Sequence, residues 1–464
     1  MRQETSTVPA GTRLVADESL RRYRDGKVVL GGSPLRLLRL SSSGGARLRR
    51  WLSGEPVGDD APSRALARRL LDTGLVHPEP GHATHTPADV TLVVPVKDNA
   101  EGVRRLRAAT MELGAQVVVD DGSAAPLLHA TMRHPAPRGP AAARNTGWRA
   151  ATTELVAFLD SDTHPEPGWL DTVLPLFGDP DVLAVAPRVV SDYQCSNTDN
   201  HSRPVAAYEA ERSSLDMGTR PASVRPMSRV SYVPTAALVV RRAALSEAGG
   251  FDETLRYGED VDLVWRLIAG GGVVRYQPSS VVRHEPRPTL RSWLRQRFDY
   301  GTSAAPLAAR HPGRLACARL SRAAAVTWTL VALGQPRAGF GAALTSGTLL
   351  PRTLRRQGIP VLAAARLAAQ SQLGAGAMLA DATRRAWWPL ALLSRRGRRA
   401  LLAALVPCVV QAVSHRHDLD PVRWAALRVA DDLAYGAGVW AGCLRHRTLA
   451  PLLPRLTERA GRSR

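Results

Sequence analysis

Cysteine is scarce and scattered: Cys195, Cys317, Cys408 and Cys443 are the only four in 464 residues. None stands in a CxxC pair, which excludes the usual zinc ligand sets and a disulfide framework and fits a reducing compartment. Lysine is nearly absent, with Lys27 and Lys97 alone, so the formal charge of +21 rests on arginine, part of which reads as a GC-rich coding bias. Aromatic residues make up only 5% of the chain. There is no internal repeat. Met1 to Leu14 lack the apolar core of a secretory signal, so the amino end is expected to stay in the cytoplasm. Long apolar runs are missing as well. Ala323 to Gly334 and Ala400 to Val413 fall below the ~18–20 residues that cross a bilayer, and Arg337 stops the first from extending. They read as buried helices or as a face resting on a membrane surface. What is present is 44% hydrophobic and 22% charged, a globular composition. The length predicts two or three domains. The basic excess suits phosphate, nucleic acid or anionic lipid.

Residues 1–80 read as a small separate α+β module. Lys27 to Leu30 and Leu35 to Leu40 flank the turn Gly31-Gly32-Ser33-Pro34, a hairpin signal. Helical spacing follows over Ala46 to Leu52 and Ser63 to Thr73, with Gly74 as a C-cap; hairpin plus helices suggests a winged-helix-like unit. Residues 81–88, overlapping the Pro78 to Pro87 stretch, form a linker. From Asp89 short β-rich runs (Val90 to Val96, Gln116 to Asp120, Leu155 to Leu159, Val182 to Pro187) alternate with helical patterns (Glu101 to Leu113, Trp169 to Phe177). That alternation predicts a parallel, doubly wound α/β sheet over 89–320, with ligands beyond the carboxyl ends of the strands. Residues 321–464 are rich in Ala, Leu and Arg and predicted helical.

Acidic clusters fall at those strand ends. Asp120-Asp121-Gly122-Ser123 follows an apolar strand; it is either a solvated turn or a pair of carboxylates for a base or ribose. Asp160-Ser161-Asp162 ends another strand and brings two hard oxygen donors together, which suits Mg²⁺ or Mn²⁺ on a diphosphate; helix capping by Ser161 or Asp162 is the plainer alternative. Glu259-Asp260 opens a helical pattern, where carboxylates favour the dipole or serve as a general base. His284 ends a further strand-like run and becomes a candidate metal ligand near Asp160 and Asp162.

The ordered set Val93-Val94-Pro95-Val96-Lys97-Asp98, Asp120-Asp121-Gly122-Ser123, Ala143-Arg144-Asn145-Thr146-Gly147, Asp160-Ser161-Asp162, Gly249-Gly250-Phe251-Asp252 and Gly258-Glu259-Asp260-x-Asp262-Leu263-x-x-Arg266 resembles family 2 glycosyltransferases of GT-A fold, over about residues 89–300. The resemblance implies an inverting, metal-dependent hexosyltransferase. It makes Pro95, Val96, Asp98, Asp120, Asp121, Arg144 and Asp160 contacts to a nucleotide sugar, Asp160, Asp162 and His284 ligands of Mg²⁺ or Mn²⁺, and Asp260 the catalytic base beside Glu259. Val96-Lys97 stands where the family often has Thr-Tyr, and Gln296-Arg297-Phe298 only loosely matches the Gln-x-x-Arg-Trp of processive synthases. With the Gly31 to Leu40 segment before this core and the Ala/Arg-rich helices after it, the whole is similar to the mycofactocin-system branch of the family. That branch implies UDP-glucose as donor, a small peptide-derived redox cofactor or glycan as acceptor, β-1,4-linked glucose, and a PqqD-like amino-terminal module. Other family 2 acceptors, lipid or polysaccharide, stay open. The expected location is the cytoplasm, with peripheral contact at the inner membrane face and no nucleic acid partner. A nucleotidyltransferase would also place Asp pairs and a metal at strand ends but leaves Gly258-Glu259-Asp260 unexplained. A DNA-binding regulator fits the charge and is opposed by the carboxylate clusters.

Overall fold

Runs of apolar residues too short for a helix and too continuous for a surface strand, such as Leu155 to Leu159, belong in the middle of a sheet covered on both faces. The computed structural model describes residues 7–192, 203–287, 289–414 and 418–457; Cys195 lies outside them. Contacts divide the chain into two units. The first holds Met1–Arg22, Val29–Thr198 and Glu209–Pro286, and the second Tyr23–Val28, Asp199–Tyr208 and Arg287–Arg464.

The amino-terminal module has the order β1 (Leu14–Ala16), β2 (Arg21–Tyr23), β3 (Val28–Gly31), β4 (Arg36–Arg39), α1 (Ser42–Leu52), α2 (Ala61–Asp72) and β5 (Val76–Pro78). β3 and β4 are neighbours in a three-stranded sheet, and β1 pairs antiparallel with β5. Side-chain oxygens of Ser41 and Asp60 cap the two helices. Val29, Leu48, Trp51, Leu70, Leu71 and Val76 share one core. The Arg68 guanidinium joins this module to the following domain by donating to Asp179 at 2.8 and 2.9 Å, and it lies 2.8 Å from Asp181.

The following domain continues with β6 (Val90–Val96), α3 (Ala100–Ala109), β7 (Ala115–Asp120), β8 (Met132–Arg133), α4 (Pro140–Ala150), β9 (Leu155–Leu159), β10 (Thr163–Pro165), β11 (Val182–Ser191), α5 (Arg203–Arg212), β12 (Ala222–Ser223), β13 (Ala237–Arg241), α6 (Arg242–Ala248), α7 (Glu259–Ala269) and β14 (Val273–His284). One sheet has the order β10-β14-β11-β13-β9-β6-β7-β8, with β12 on β14. β9, β6, β7 and β8 are parallel, but β13 runs antiparallel to both β9 and β11. The sheet is therefore mixed, not wholly parallel as predicted. An apolar run buried on both faces reads the same in either direction, so strand sense is invisible to hydrophobic pattern. The helix predicted over Trp169 to Phe177 is also absent: the segment forms turns and a 3₁₀ stretch at Leu174–Gly178. Pro175 withholds a donor there and Gly168 has φ +74°.

The second unit is helical: α8 (Leu290–Thr302), α9 (Ala304–Arg310), α10 (Arg322–Ala332), α11 (Pro336–Arg356), α12 (Val361–Ala382), α13 (Trp388–Leu392), α14 (Arg395–Ala404), α15 (Val406–Ser414) and α16 (Pro421–Arg445), with β15 (Arg319–Ser321) parallel to β16 (Arg455–Thr457). Its arginines are not all on the surface. Arg384 and Arg428 are buried, 2.9 and 3.2 Å from the buried carboxylate of Asp432. The expectation that every apolar run is too short for a bilayer needs correction. Arg395–Ser414, across α14 and α15, has mean hydropathy 1.3 in its most apolar window, 17% of it buried, and is long and apolar enough to cross a membrane by length and composition. Counting only Ala400 to Val413 missed the helical turn that the preceding arginines add.

The carboxyl ends of adjacent β9, β6 and β7 lie on one edge of the sheet, which gathers the loops carrying Asp160, Asp98 and Asp120. A glycine sets how closely two of those loops approach. A Cβ on Gly102, in the first turn of α3, would stand 2.0 Å from the Ser161 carbonyl oxygen. Gly102→Ala is expected to cost about 1–3 kcal/mol, the range for overpacking, read as a lowered denaturation midpoint. A gain of the ~0.4–1 kcal/mol usual for Gly→Ala at an unstrained helical site would contradict that packing.

Candidate active site

Each acidic cluster owes its position to a strand end and to hydrogen bonds that fold the loop behind it. Asp98 has φ +54°; its N–H donates to Ser123 Oγ at 2.9 Å and its Oδ1 accepts from Ala124 N at 2.7 Å. Pro95 is half-buried, and Val96 is buried within β6 with its carbonyl accepting from Asp121 N at 2.8 Å. Asp120 accepts from Ser123 N at 2.8 Å and from Arg133 Nη1 at 2.9 Å. Burial works to raise its pKa, but the Ser123 and Leu127 amides and Arg133 outweigh it and hold the carboxyl below its ordinary value. Asp121 accepts from Arg138 N at 2.9 Å and Gly139 N at 2.8 Å, and its Oδ1 meets His134 Nδ1 at 2.7 Å. Both carboxylates of the Asp-Asp-Gly turn thus brace the segment that leads into α4.

α4 carries Arg144, and this residue organises the site. Its Nη2 donates to Asp160 Oδ1 at 2.7 Å and its Nη1 to Glu259 Oε1 at 2.8 Å, with the guanidinium 5.7 Å from the centre of the Phe251 ring. The side chain is buried. Burial opposes its charge, yet Asp160, Glu259 and Asp260 more than compensate and its pKa is raised. The next residue, Asn145, is buried too. Its Nδ2 donates to Phe251 O and Glu253 Oε1, and its Oδ1 accepts from Phe251 N at 2.9 Å. Arg266 holds the same loop from the other side: it is 2.7 Å from Asp262 Oδ2 and donates to the carbonyls of Ala248 and Gly250. The loop that delivers Glu259 and Asp260 is therefore fixed at both ends.

Sequence reasoning named Asn145 and Arg266 only as members of two family motifs and gave them no role, although the i,i+4 spacing of Asp262 and Arg266 also signalled their pairing; it did not name Arg133 or His134.

Glu259 and Asp260 open α7, a helix N-terminus that favours carboxylates. They sit differently. Glu259 is buried against Arg144, while Asp260 keeps part of its surface open and accepts from Val261 N at 2.7 Å. Burial, with Asp260 adjacent and only partly offset by Arg144, pushes Glu259 up to about 7. Burial also raises Asp260, with the charge of Asp160 adding to it.

The antiparallel pairing of Thr163 with His284 brings the Asp-Ser-Asp turn to the end of β14. His284 Nε2 stands 3.4 Å from Asp162 Oδ1, while Asp160 turns to Arg144. Among the described residues there is no group of three His, Cys, Asp or Glu placed to hold a metal ion. An oxygen and an imidazole nitrogen at that separation suit two neighbouring positions on one ion with bonds of ~2.1 Å, and Mg²⁺-type sites often take only one or two carboxylates and complete their shell with substrate phosphates. The residues present fit a divalent cation shared with a diphosphate.

The raised Glu259 has a measurable consequence. Its folded pKa of about 7 lies above the ordinary 4.5, so between those values the unfolded chain ionises first and stability falls as pH rises, the loss being complete above about 7. Glu259→Gln cannot ionise. The stability of this variant relative to the parent is expected to improve from pH 4.5 to 7, measured as denaturant midpoints. A difference independent of pH would contradict the raised pKa.

The model of glycosyl transferase family group 2 matches residues 155–406. The chain is 43% identical over 474 aligned positions to the pre-mycofactocin glycosyltransferase of Mycobacterium tuberculosis (strain ATCC 25618 / H37Rv), covering 97% of this chain and 98% of that one. It is 32% identical over 210 positions to the succinoglycan biosynthesis protein ExoO of Rhizobium meliloti (strain 1021), covering 41% of this chain and 59% of that one. Among solved structures, the mannosyltransferase PcManGT from Pyrobaculum calidifontis, in complex with GDP-Man and Mn²⁺, aligns at 20% identity and TM-score 0.37 over 66% of this chain and 92% of that one, a likeness too slight to carry weight. The end-to-end identity and the family match agree with the mixed sheet and its strand-end carboxylates: this chain is a glycosyltransferase and belongs to glycosyl transferase family group 2.

Proposed function

We propose that the chain transfers glucose from UDP-glucose onto a hydroxyl of a small peptide-derived acceptor of the mycofactocin type, with inversion at the anomeric carbon, and extends it as a β-1,4-linked chain. The observation that carries the reaction type is Arg144 bonded at once to Asp160 and Glu259, with the partly open Asp260 next in sequence. What supports the donor and acceptor is the end-to-end identity of 43% with a protein named for pre-mycofactocin. The amino-terminal module, read as PqqD-like, would then meet the peptide part of the acceptor.

Asp260 accepts the proton of the acceptor hydroxyl as its oxygen attacks the anomeric carbon, and the nucleoside diphosphate leaves with the bonding pair. Raised by burial, the Asp260 carboxylate is a stronger base than an exposed one. Glu259, held by Arg144, fixes the first turn of α7 and with it the direction in which Asp260 points. Arg144 spends its charge on Asp160 and Glu259, keeping the turn before Asp162 in place. Asp162 and His284 are the residues that would hold Mg²⁺ or Mn²⁺, and the chemistry such an ion supplies is neutralisation of diphosphate charge. In the second unit, the apolar Arg395–Ser414 segment begins with four arginines among its first five residues, which supports placement at the anionic inner face of a membrane.

Three outcomes test this reading. Asp260→Asn keeps shape and helix capping but takes no proton, so kcat is expected to fall about 10²-fold or more with donor affinity and melting temperature near the parent's, Glu259→Gln being milder. Near-normal turnover, or a product of retained anomeric configuration by NMR, would overturn the base and the inversion. Excess EDTA is expected to abolish transfer and added Mg²⁺ or Mn²⁺ to restore it; full turnover in EDTA would exclude the cation. On membranes, the chain is expected to be released by carbonate at high pH, and resistance to it would mean insertion.

A further inference from the structure

The two side chains that suit a divalent cation belong to separate segments. Asp162 follows β9 and His284 closes β14, so the 3.4 Å between them depends on how each segment is held. On one side of Ser161, the Asp160 carboxylate accepts from Arg144; on the other, the Asp162 carbonyl accepts from Glu285 N at 3.0 Å. Ser161 itself, at the middle of the turn, is held from α3.

The N-cap of α3 is Asn99. Its Oδ1 accepts from Gly102 N at 3.0 Å, which satisfies a free donor of the first turn. Its Nδ2 donates to the Ser161 carbonyl at 3.1 Å and to Ser161 Oγ at 3.2 Å. Gly102 makes room for this, since a side chain there would collide with both the Asn99 amide and the Ser161 carbonyl. Further along the same helix, Arg105 Nη2 donates at 2.6 Å to Glu285 Oε1, on the residue after His284. One helix therefore grips the segments that carry both candidate ligands.

A cap needs only Oδ1. The two bonds from Nδ2 do something else: they join the turn of Asp162 to the loop of Asp98, whose left-handed backbone (φ +54°) is in turn held by Ser123 Oγ. Small divalent cations tolerate little departure from their preferred geometry, and groups that orient a ligand commonly govern affinity for the ion.

We propose that Asn99 is a positioning residue for the cation, its Nδ2 fixing the Asp160-Ser161-Asp162 turn at the distance from His284 that lets both hold one ion against the diphosphate of the donor. This role rests on the reading of Asp162 and His284 as the ligands. Asn99 acts through Ser161 and supplies no ligand of its own.

Calorimetric titration of the full chain with UDP, at a series of Mn²⁺ concentrations, tests this without the transfer reaction. In the parent, UDP is expected to bind more tightly as Mn²⁺ is added, and the quantity read is the Mn²⁺ concentration that gives half of the tightening. Asn99→Ser keeps a capping oxygen and removes the Nδ2 donor. That concentration is expected to rise about tenfold or more in this variant, while metal-free UDP affinity and melting temperature stay at the parent's, serine capping about as well as asparagine. An unchanged half-point overturns the positioning role. So does a loss of metal-free UDP affinity as large as the metal effect, which would make Asn99 a general support of the loops. Asp162→Asn serves as the reference and is expected to abolish the tightening. Tightening that persists in Asp162→Asn, or is missing from the parent, overturns the ligand assignment, and the role of Asn99 with it.

Discussion

One buried guanidinium holds the candidate site together. Arg144 donates to Asp160 through one terminal nitrogen and to Glu259 through the other, tying the loop after β9 to the first turn of α7. Arginine suits this post because its planar fork offers several donors in fixed directions and does not lose its proton. Buried charge of one sign is costly, and here the cost is met by two carboxylates that themselves need a cation. Remove any one and the others are left uncompensated. The shape of the site and its electrostatics are therefore one constraint.

From that constraint follows a division between Glu259 and Asp260. Both are pushed toward the protonated form by burial, but only Glu259 is anchored to Arg144, and only Asp260 keeps surface open to a substrate. A base must be both reachable and more basic than a surface carboxylate, and Asp260 meets both conditions. Asn145 and Arg266 hold the preceding loop so firmly that this difference is built into the backbone. The second unit uses the same device on another scale, with Arg384 and Arg428 buried around Asp432.

Much of this was legible in the chain. Val90 to Val96 and Leu155 to Leu159 appear as strands with the predicted bounds, and the carboxylates predicted at strand ends are at strand ends, because continuous apolar runs have few alternatives to a covered sheet. The direction of β13 was not legible, since hydrophobicity carries no polarity. Nor was the engagement of Asp121 with Arg138 N and Gly139 N, which depends on where a distant loop returns. Arg144 was singled out as a nucleotide contact through its motif; its bond to Glu259 spans 115 residues and no local pattern encodes it. Four arginines, Arg395, Arg396, Arg398 and Arg399, hid a segment long enough for a membrane because composition was read residue by residue and not along the helix.

The most direct measurement is a double-mutant cycle between Arg144 and Glu259, with stability and transfer rate read on the same four proteins. Arg144→Gln alone is expected to cost about 3–5 kcal/mol by leaving the buried Glu259 and the half-buried Asp160 unpaired. Adding Glu259→Gln is expected to return part of that stability, with a coupling of about 0.5–3 kcal/mol, and to leave transfer lost because Asp160 and the first turn of α7 are no longer joined. Strictly additive stabilities, or transfer at the parental rate in Arg144→Gln, would contradict the central place given to this residue.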